Sequence, residues 1–121
     1  MSYSYEPYKQ ICLELKNSGF TPKRILDIGS NIGQTADIMR YIWPNSELIL
    51  IEGNEECCRE LYVKNYTVLP ILVGKENSEV TFYKTTFHPK CSGNSIYKEN
   101  SKSYEGSNLI TEVKKYISWM M

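Results

Sequence analysis

Apolar residues along this chain alternate between short continuous runs and segments of helical spacing. Ile25-Leu26 with Ile28, then Leu48-Ile49-Leu50-Ile51, then Val68 to Val73 are runs of strand length, each predicting a buried strand. Between the first two, residues 33–42 set Ile38, Met39 and Ile42 on one helical face and end at Trp43-Pro44-Asn45, because proline disfavours helical geometry in the residue before it. Between the second and third, residues 54–64 carry Cys57, Cys58, Leu61 and Tyr62 behind an Asn54 cap. Ahead of them, residues 6–18 repeat Tyr8, Ile11, Cys12 and Leu15 at helical intervals; Gly19 stops that helix and Pro22 separates it from the first strand. Alternating strands and helices predict an α/β fold around a parallel sheet. Two right-handed crossovers order its strands three, two, one, with helices expected on both faces.

Beyond Gly74 the pattern changes. Glu79-Val80-Thr81-Phe82-Tyr83 alternates with period two after the polar Lys75-to-Ser78 turn and predicts an antiparallel strand or hairpin. Residues 86–108 are rich in Ser, Asn, Lys and Gly, contain Pro89, and are expected to form a mobile loop over the site. In the tail, Leu109, Ile110, Val113, Tyr116, Ile117 and Met120 fit a helix on spacing alone. The whole is expected to be one domain over 1–121, with an N-terminal helix and linker (1–22), an α/β core (23–85) and a polar loop and tail (86–121).

Candidate chemistry gathers where the first strand meets its helix. Asp27-Ile28-Gly29-Ser30-Asn31-Ile32-Gly33-Gln34-Thr35 is a strand end, a glycine turn and a helix N-terminus. Glycine lets a ligand lie against bare backbone, and the unpaired N–H groups of the helix start face it. The second strand ends in Glu52-Gly53-Asn54. Ends of adjacent parallel strands lie side by side, so Glu52 is expected beside the turn, where a carboxylate suits the two hydroxyls of a ribose. The spacing Asp27-x-Gly29-x-x-x-Gly33 departs from the Gly-x-Gly-x-x-Gly of dinucleotide sites. Its acid would repel a pyrophosphate and instead suits a ligand with an amino or sulfonium group.

This arrangement resembles the first motif of class I S-adenosylmethionine-dependent methyltransferases, and more narrowly the FkbM family. The segment from Asp27 to Thr35 with Asn31 ahead of the second glycine, the acid at Glu52, Leu72-Val73-Gly74 before a Glu79-to-Tyr83 strand, and Gly93-Asn94-Ser95 carry the likeness, over about residues 20–100. The resemblance implies a Rossmann-like sheet, S-adenosyl-L-methionine as cofactor, and methylation of oxygen on a sugar, glycan or other small hydroxylated acceptor. It also implies a strand near 112–117 in place of the tail helix. Asp27 is then expected to order the turn and hold the amino acid end of the cofactor, Gly29 and Gly33 to give backbone approach, and Glu52 to take the ribose. Ser30, Asn31, Gln34 and Thr35 either bond the cofactor carboxylate or cap the helix. Gly53 and Asn54 flank the adenosine, Asn54 being equally a helix cap, and Leu72 and Val73 either touch adenine or pack in the core. Asn94 and Ser95 are weaker candidates for cofactor or acceptor. No catalytic residue is identified; His88, the lone histidine, lies beside Pro89 in the polar loop as a candidate base or a solvated side chain.

The family's later motif, an acidic strand ending of the Lys-x-Asp-x-Glu-Gly type, has no counterpart here. The chain therefore reads as the N-terminal half of such a domain, its first strand open at one edge unless the tail, a second copy or a partner chain covers it. A non-catalytic cofactor-binding remnant or subunit is accordingly the alternative function. Nicotinamide-dependent oxidoreduction is disfavoured by the glycine spacing. Fourteen basic residues balance fourteen acidic ones with no basic stripe, which disfavours nucleic-acid binding. The apolar runs are too short for a membrane helix and the N-terminus has no signal pattern, so a cytoplasmic setting is expected. Cys12, Cys57, Cys58 and Cys91 lack zinc-site spacing and are expected to be reduced, packed thiols.

Overall fold

The computed structural model describes residues 5–74, 77–86 and 104–118 as a mixed α/β structure. Its elements run α1 (Glu6–Asn17), β1 (Arg24–Ile28), α2 (Gln34–Ile42), β2 (Glu47–Ile51), α3 (Glu55–Val63), β3 (Thr67–Leu69), β4 (Leu72–Gly74), β5 (Ser78–Thr85) and β6 (Leu109–Ser118). A 3-10 turn, Gly106–Asn108, precedes β6. The first three strands form a parallel sheet in the order β1-β2-β3, as the two strand-helix-strand units require. Register pairs Ile25 with Leu48, Asp27 with Leu50 and Ile28 with Ile51, then Leu50 with Val68.

Helices α1, α2 and α3 share one face of this sheet. Alternation turns Ile25, Leu48, Leu50 and Val68 to the same side. There Leu50 and Val68 join Ala36 of α2 and Cys58 and Leu61 of α3 in one core cluster. Ile25 and Leu48 pack against a second, built from Cys12 of α1 with Met39, Ile42 and Trp43. The expectation of helices on both faces is corrected: two crossovers progressing in one direction along a sheet leave their helices on one side. On the opposite face Leu26 and Ile28 are 58% and 61% exposed. Within α1 the inner face is Tyr8, Cys12 and Leu13. Ile11 and Leu15, expected inward, face solvent, as does Tyr62 of α3.

The third apolar run is also not one strand. Pro70 has no N–H to continue a ladder. The last rung, from Glu52 N–H to the Leu69 carbonyl, is followed by a tight bend in which Ile71 N–H returns to Leu69 O at 2.9 Å. Leu72 and Val73 then belong to a second sheet, order β4-β6-β5, in which β4 runs parallel to β6 and β5 antiparallel to it. The antiparallel strand expected at 79–83 is thus found, extended to Thr85. The tail is a strand, as the resemblance implied and spacing alone did not.

Residues 104–108 form a turn closed by Asn108 N–H donating to Glu105 O at 3.0 Å and tied to the end of β5 by Thr86 N–H donating to Asn108 O; Tyr104 within it is almost fully buried. Cys12, Cys57 and Cys58 are buried thiols. Among the described residues no helix is long and apolar enough to cross a membrane.

Candidate functional site

At the end of β1 the backbone leaves the sheet through two left-handed glycines, Gly29 at φ +77° and Gly33 at φ +96°. Asn31 between them is also left-handed at φ 52°, a conformation that asparagine tolerates better than most side chains. The turn is pinned to the sheet by Gly29 N–H and Ser30 N–H, both donating to Ile51 O at 2.8 and 3.2 Å. The buried Ser30 hydroxyl donates to Asp27 O at 2.9 Å. The Asn31 side-chain oxygen accepts from Ile32 N–H and from the Gln34 amide, and the Thr35 hydroxyl donates to the Asp27 carboxylate at 3.2 Å. Ser30, Asn31, Gln34 and Thr35 therefore all spend side-chain hydrogen bonds on shaping the turn.

Glu52 lies against this turn. One carboxylate oxygen accepts the Asn31 N–H at 2.7 Å and the other accepts the Asn54 N–H at 2.8 Å, so a single side chain staples the β1–α2 turn to the entry of α3. Such bonds to an ionised acceptor are short and roughly twice as strong as neutral ones. A carboxylate has about four lone-pair positions, and these two bonds leave others for a further donor. Asn54 is a helix cap: its side chain accepts from Glu56 N–H at 3.2 Å, and it is almost fully buried.

The two glycines differ in their surroundings. A Cβ on Gly29 would meet nothing within 4 Å, so this stretch of backbone is open to a ligand. One on Gly33 would stand 3.1 Å from Leu61 Cδ2 and 3.5 Å from Lys64 Nζ: protein already fills that side. Gly33 is needed for close packing of the turn on α3, a role that its place in the motif does not reveal. Gly53 is tighter still, since a Cβ there would fall 2.1 Å from Leu72 Cδ2. Leu72 is thereby brought to the Glu52-Gly53-Asn54 corner from the second sheet. Val73 follows it in β4, where alternation turns it to the other face.

Asp27, Gly29 to Thr35, Glu52 to Asn54 and Leu72 thus converge, while Val73 does not. His88, Cys91, Asn94 and Ser95 lie outside the described residues. Sequence reasoning missed Lys64, whose ammonium donates to Ile32 O at 2.7 Å from the end of α3 and pairs with Asp37 at 2.9 Å. It also missed Tyr66, which donates to Asp37. No local signal marks either, because their partners lie 27 to 32 positions away.

Burial, with the nearby Glu52 charge, pushes the Cys58 thiol up to about 11, and its Sγ donates to Glu52 O at 3.2 Å, so it is no thiolate at neutral pH. Burial likewise raises Tyr8 to about 12, helped by Cys12 and Asp27. Among the described residues no group of three His, Cys, Asp or Glu side chains could hold a metal ion. A hollow of about 500 Å³ in the second sheet, lined by Asn77, Ser78, Glu79, Lys115 and Ile117, shares no residue with the turn. No protein-family model and no curated protein matches this sequence.

Proposed function

We propose that the Gly29–Gly33 turn and the Glu52 strand end are the donor-binding part of an S-adenosylmethionine-dependent methyltransferase of FkbM type, transferring methyl to oxygen of a sugar or small hydroxylated metabolite. One observation carries the reading: the Glu52 carboxylate sits 2.7 Å from the Asn31 amide, so an acidic strand end and a glycine turn share one corner. In this reading the free lone pairs of Glu52 take the ribose hydroxyls. The open backbone at Gly29 receives the ligand, and Asp27 keeps a carboxylate where a pyrophosphate would be repelled and an amino group favoured. Leu72, lying on Gly53, offers apolar contact beside the nucleoside. The cofactor supplies an activated methyl group; the protein's task is to align it with the acceptor and exclude water.

Calorimetry tests the reading. S-adenosylhomocysteine is expected to bind and NADH is not, and Glu52→Ala should weaken binding by about 1–3 kcal/mol through lost charge-assisted hydrogen bonds. Preferential binding of NADH overturns it.

A second reading, a cofactor-binding subunit that acts with a partner chain, is favoured by the exposure of Leu26 and Ile28 on the face of β1 opposite the described helices. Among the described residues β1 pairs only with β2. A radiolabelled methyl-transfer assay over simple sugars separates the two: turnover by this chain alone supports the enzyme, and cofactor binding without turnover supports the subunit.

A further inference from the structure

Two consecutive residues of the glycine turn are held from opposite directions. Glu52, at the end of β2, accepts from Asn31 N–H at 2.7 Å. Lys64, the C-cap residue of α3, donates its ammonium to the Ile32 carbonyl at 2.7 Å. The same ammonium meets Asp37 of α2 at 2.9 Å, and the Tyr66 hydroxyl bonds the other Asp37 oxygen. Arg40 closes the group by donating to Lys64 O at 2.8 Å while lying 4.1 Å over the Tyr66 ring. An ion pair as exposed as Lys64 with Asp37 adds little by Coulomb attraction alone. A charged donor on a main-chain carbonyl does something else: it fixes the orientation of one peptide plane, here the plane joining Ile32 to Gly33. The packing agrees, since the space where a Gly33 Cβ would stand is occupied by Leu61 and the Lys64 ammonium.

We propose that Lys64 is a positioning residue of the nucleoside site: from the α3 side it holds the Ile32–Gly33 peptide, and so sets the Asn31 amide that Glu52 grips and the opening at Gly29. The proposal rests on the nucleoside-binding reading above. Ligand affinity then depends on a residue that does not touch the ligand, through a turn clamped by one acid and one base on two different elements.

Amide hydrogen exchange by NMR on the full chain, with calorimetric titration of S-adenosylhomocysteine, tests this. Lys64→Met keeps the aliphatic stem and removes the charge. Exchange protection at the Asn31 and Gly33 amides should fall about tenfold, the worth of one hydrogen bond to a charged group, and affinity by a similar factor. Protection along the β1–β2 ladder should stay as in the wild type. Lys64→Arg, which retains charge and donors, should recover most of both losses, a rescue that a merely packing role would not show. Unchanged protection at Asn31 and Gly33, or a uniform loss across the ladder, overturns the proposal. Wild-type binding that Lys64→Met leaves intact overturns the role of Lys64 while the nucleoside reading stands. Failure of the wild type itself to bind overturns that reading and this inference with it.

Discussion

The two sheets of this protein are held by different physics. The parallel sheet carries its helices on an apolar face, Leu48, Leu50 and Val68 meeting Ala36, Cys58, Leu61 and Tyr66. The inner face of the second sheet interleaves apolar and charged residues: Val80, Phe82 and Lys84 on β5 beside Ile110, Glu112 and Lys114 on β6. Lys84 is only 1% exposed, yet it meets Glu56 of α3 at 2.8 Å and Glu112 at 2.7 Å. Lys114 pairs with Glu112 and lies over the Phe82 ring. Hydrophobic contact is non-directional and insensitive to pH. An ionic seam fixes one docking geometry and depends on every member keeping its charge. The glycine turn stands on the apolar half, but the Asn54–Glu56 entry to α3, which Glu52 staples to the turn, is where the seam attaches.

The largest effect is therefore expected from Lys84→Ala, which leaves Glu56 and Glu112 without the cation they share, Lys114 still pairing with Glu112. Removing one partner of a buried pair costs about 3–5 kcal/mol. With some 30% of each carboxylate side chain exposed, the lower end applies, read as a shift in urea midpoint. An equivalent loss from Leu50→Ala alone, with Lys84→Ala neutral, would show that the seam contributes nothing.

The seam also carries the acid sensitivity. Burial pushes Glu56 upward, but the Lys84 hydrogen bond and charge, with a backbone bond, outweigh it and hold the group below its ordinary 4.5. Glu112 is lowered by the Lys84 hydrogen bond first, against burial, with Lys114 assisting. For Lys84, burial pulls down and the two carboxylates prevail, leaving it above 10.5. A carboxylate with a lowered folded pKa stabilises fully above its unfolded value and loses that contribution as pH falls through the folded one. The raised lysine stabilises fully below its unfolded value and loses its contribution as pH rises through the folded one. Stability should thus be flat between the two, fall below about 4.5 and fall again above about 10.5. Lys84→Met should abolish the acid limb or reverse its slope; an unchanged limb would place the titrating groups elsewhere.

Much of the first half was legible because its signals are local. The Asn54 cap, the left-handed glycines and the acid ending β2 each follow from a few neighbouring residues, and the topology of a strand-helix-strand unit brings Glu52 to Asn31. The break at Pro70 is equally local, but the apolar residues on either side of it read as one continuous run. What could not be read depends on distant partners. Lys84 sits at an alternating position of a strand where charge ordinarily faces water, and its burial follows from Glu56, 28 positions away. Lys64 ends a helix, where a lysine is favourable in any protein. The side of the sheet that the helices cover is a different case: it follows from two right-handed crossovers running in one direction, not from periodicity.

A smaller effect separates the two glycines of the turn. Both have positive φ, so alanine at either costs about 1–2 kcal/mol of backbone strain. Gly33→Ala must also displace Leu61 or the Lys64 ammonium, whereas Gly29→Ala meets open space. Gly33→Ala should therefore be the more destabilising in denaturant melts. Gly29→Ala should spend its effect on ligand affinity, because the added methyl group occupies the approach the ligand needs. Equal melting losses would mean that α3 yields freely to the turn, and would weaken the case for Lys64 as its anchor.

The smallest effect belongs to the ion pair that most resembles the seam on paper. Arg24 Nε and Glu47 Oε2 are 3.1 Å apart across the start of β1 and β2, a distance close to those around Lys84, but their side chains are 79% and 57% exposed. Water screens such a pair, and ordering two long side chains offsets most of what remains. Arg24→Ala should change stability by less than about 0.5 kcal/mol, and less again in high salt. Set beside Lys84→Ala, this holds pair geometry nearly constant and varies burial. A loss at Arg24 comparable to that at Lys84 would mean that contact distance governs both pairs, and the contrast between an ionic seam and a solvated surface would fail.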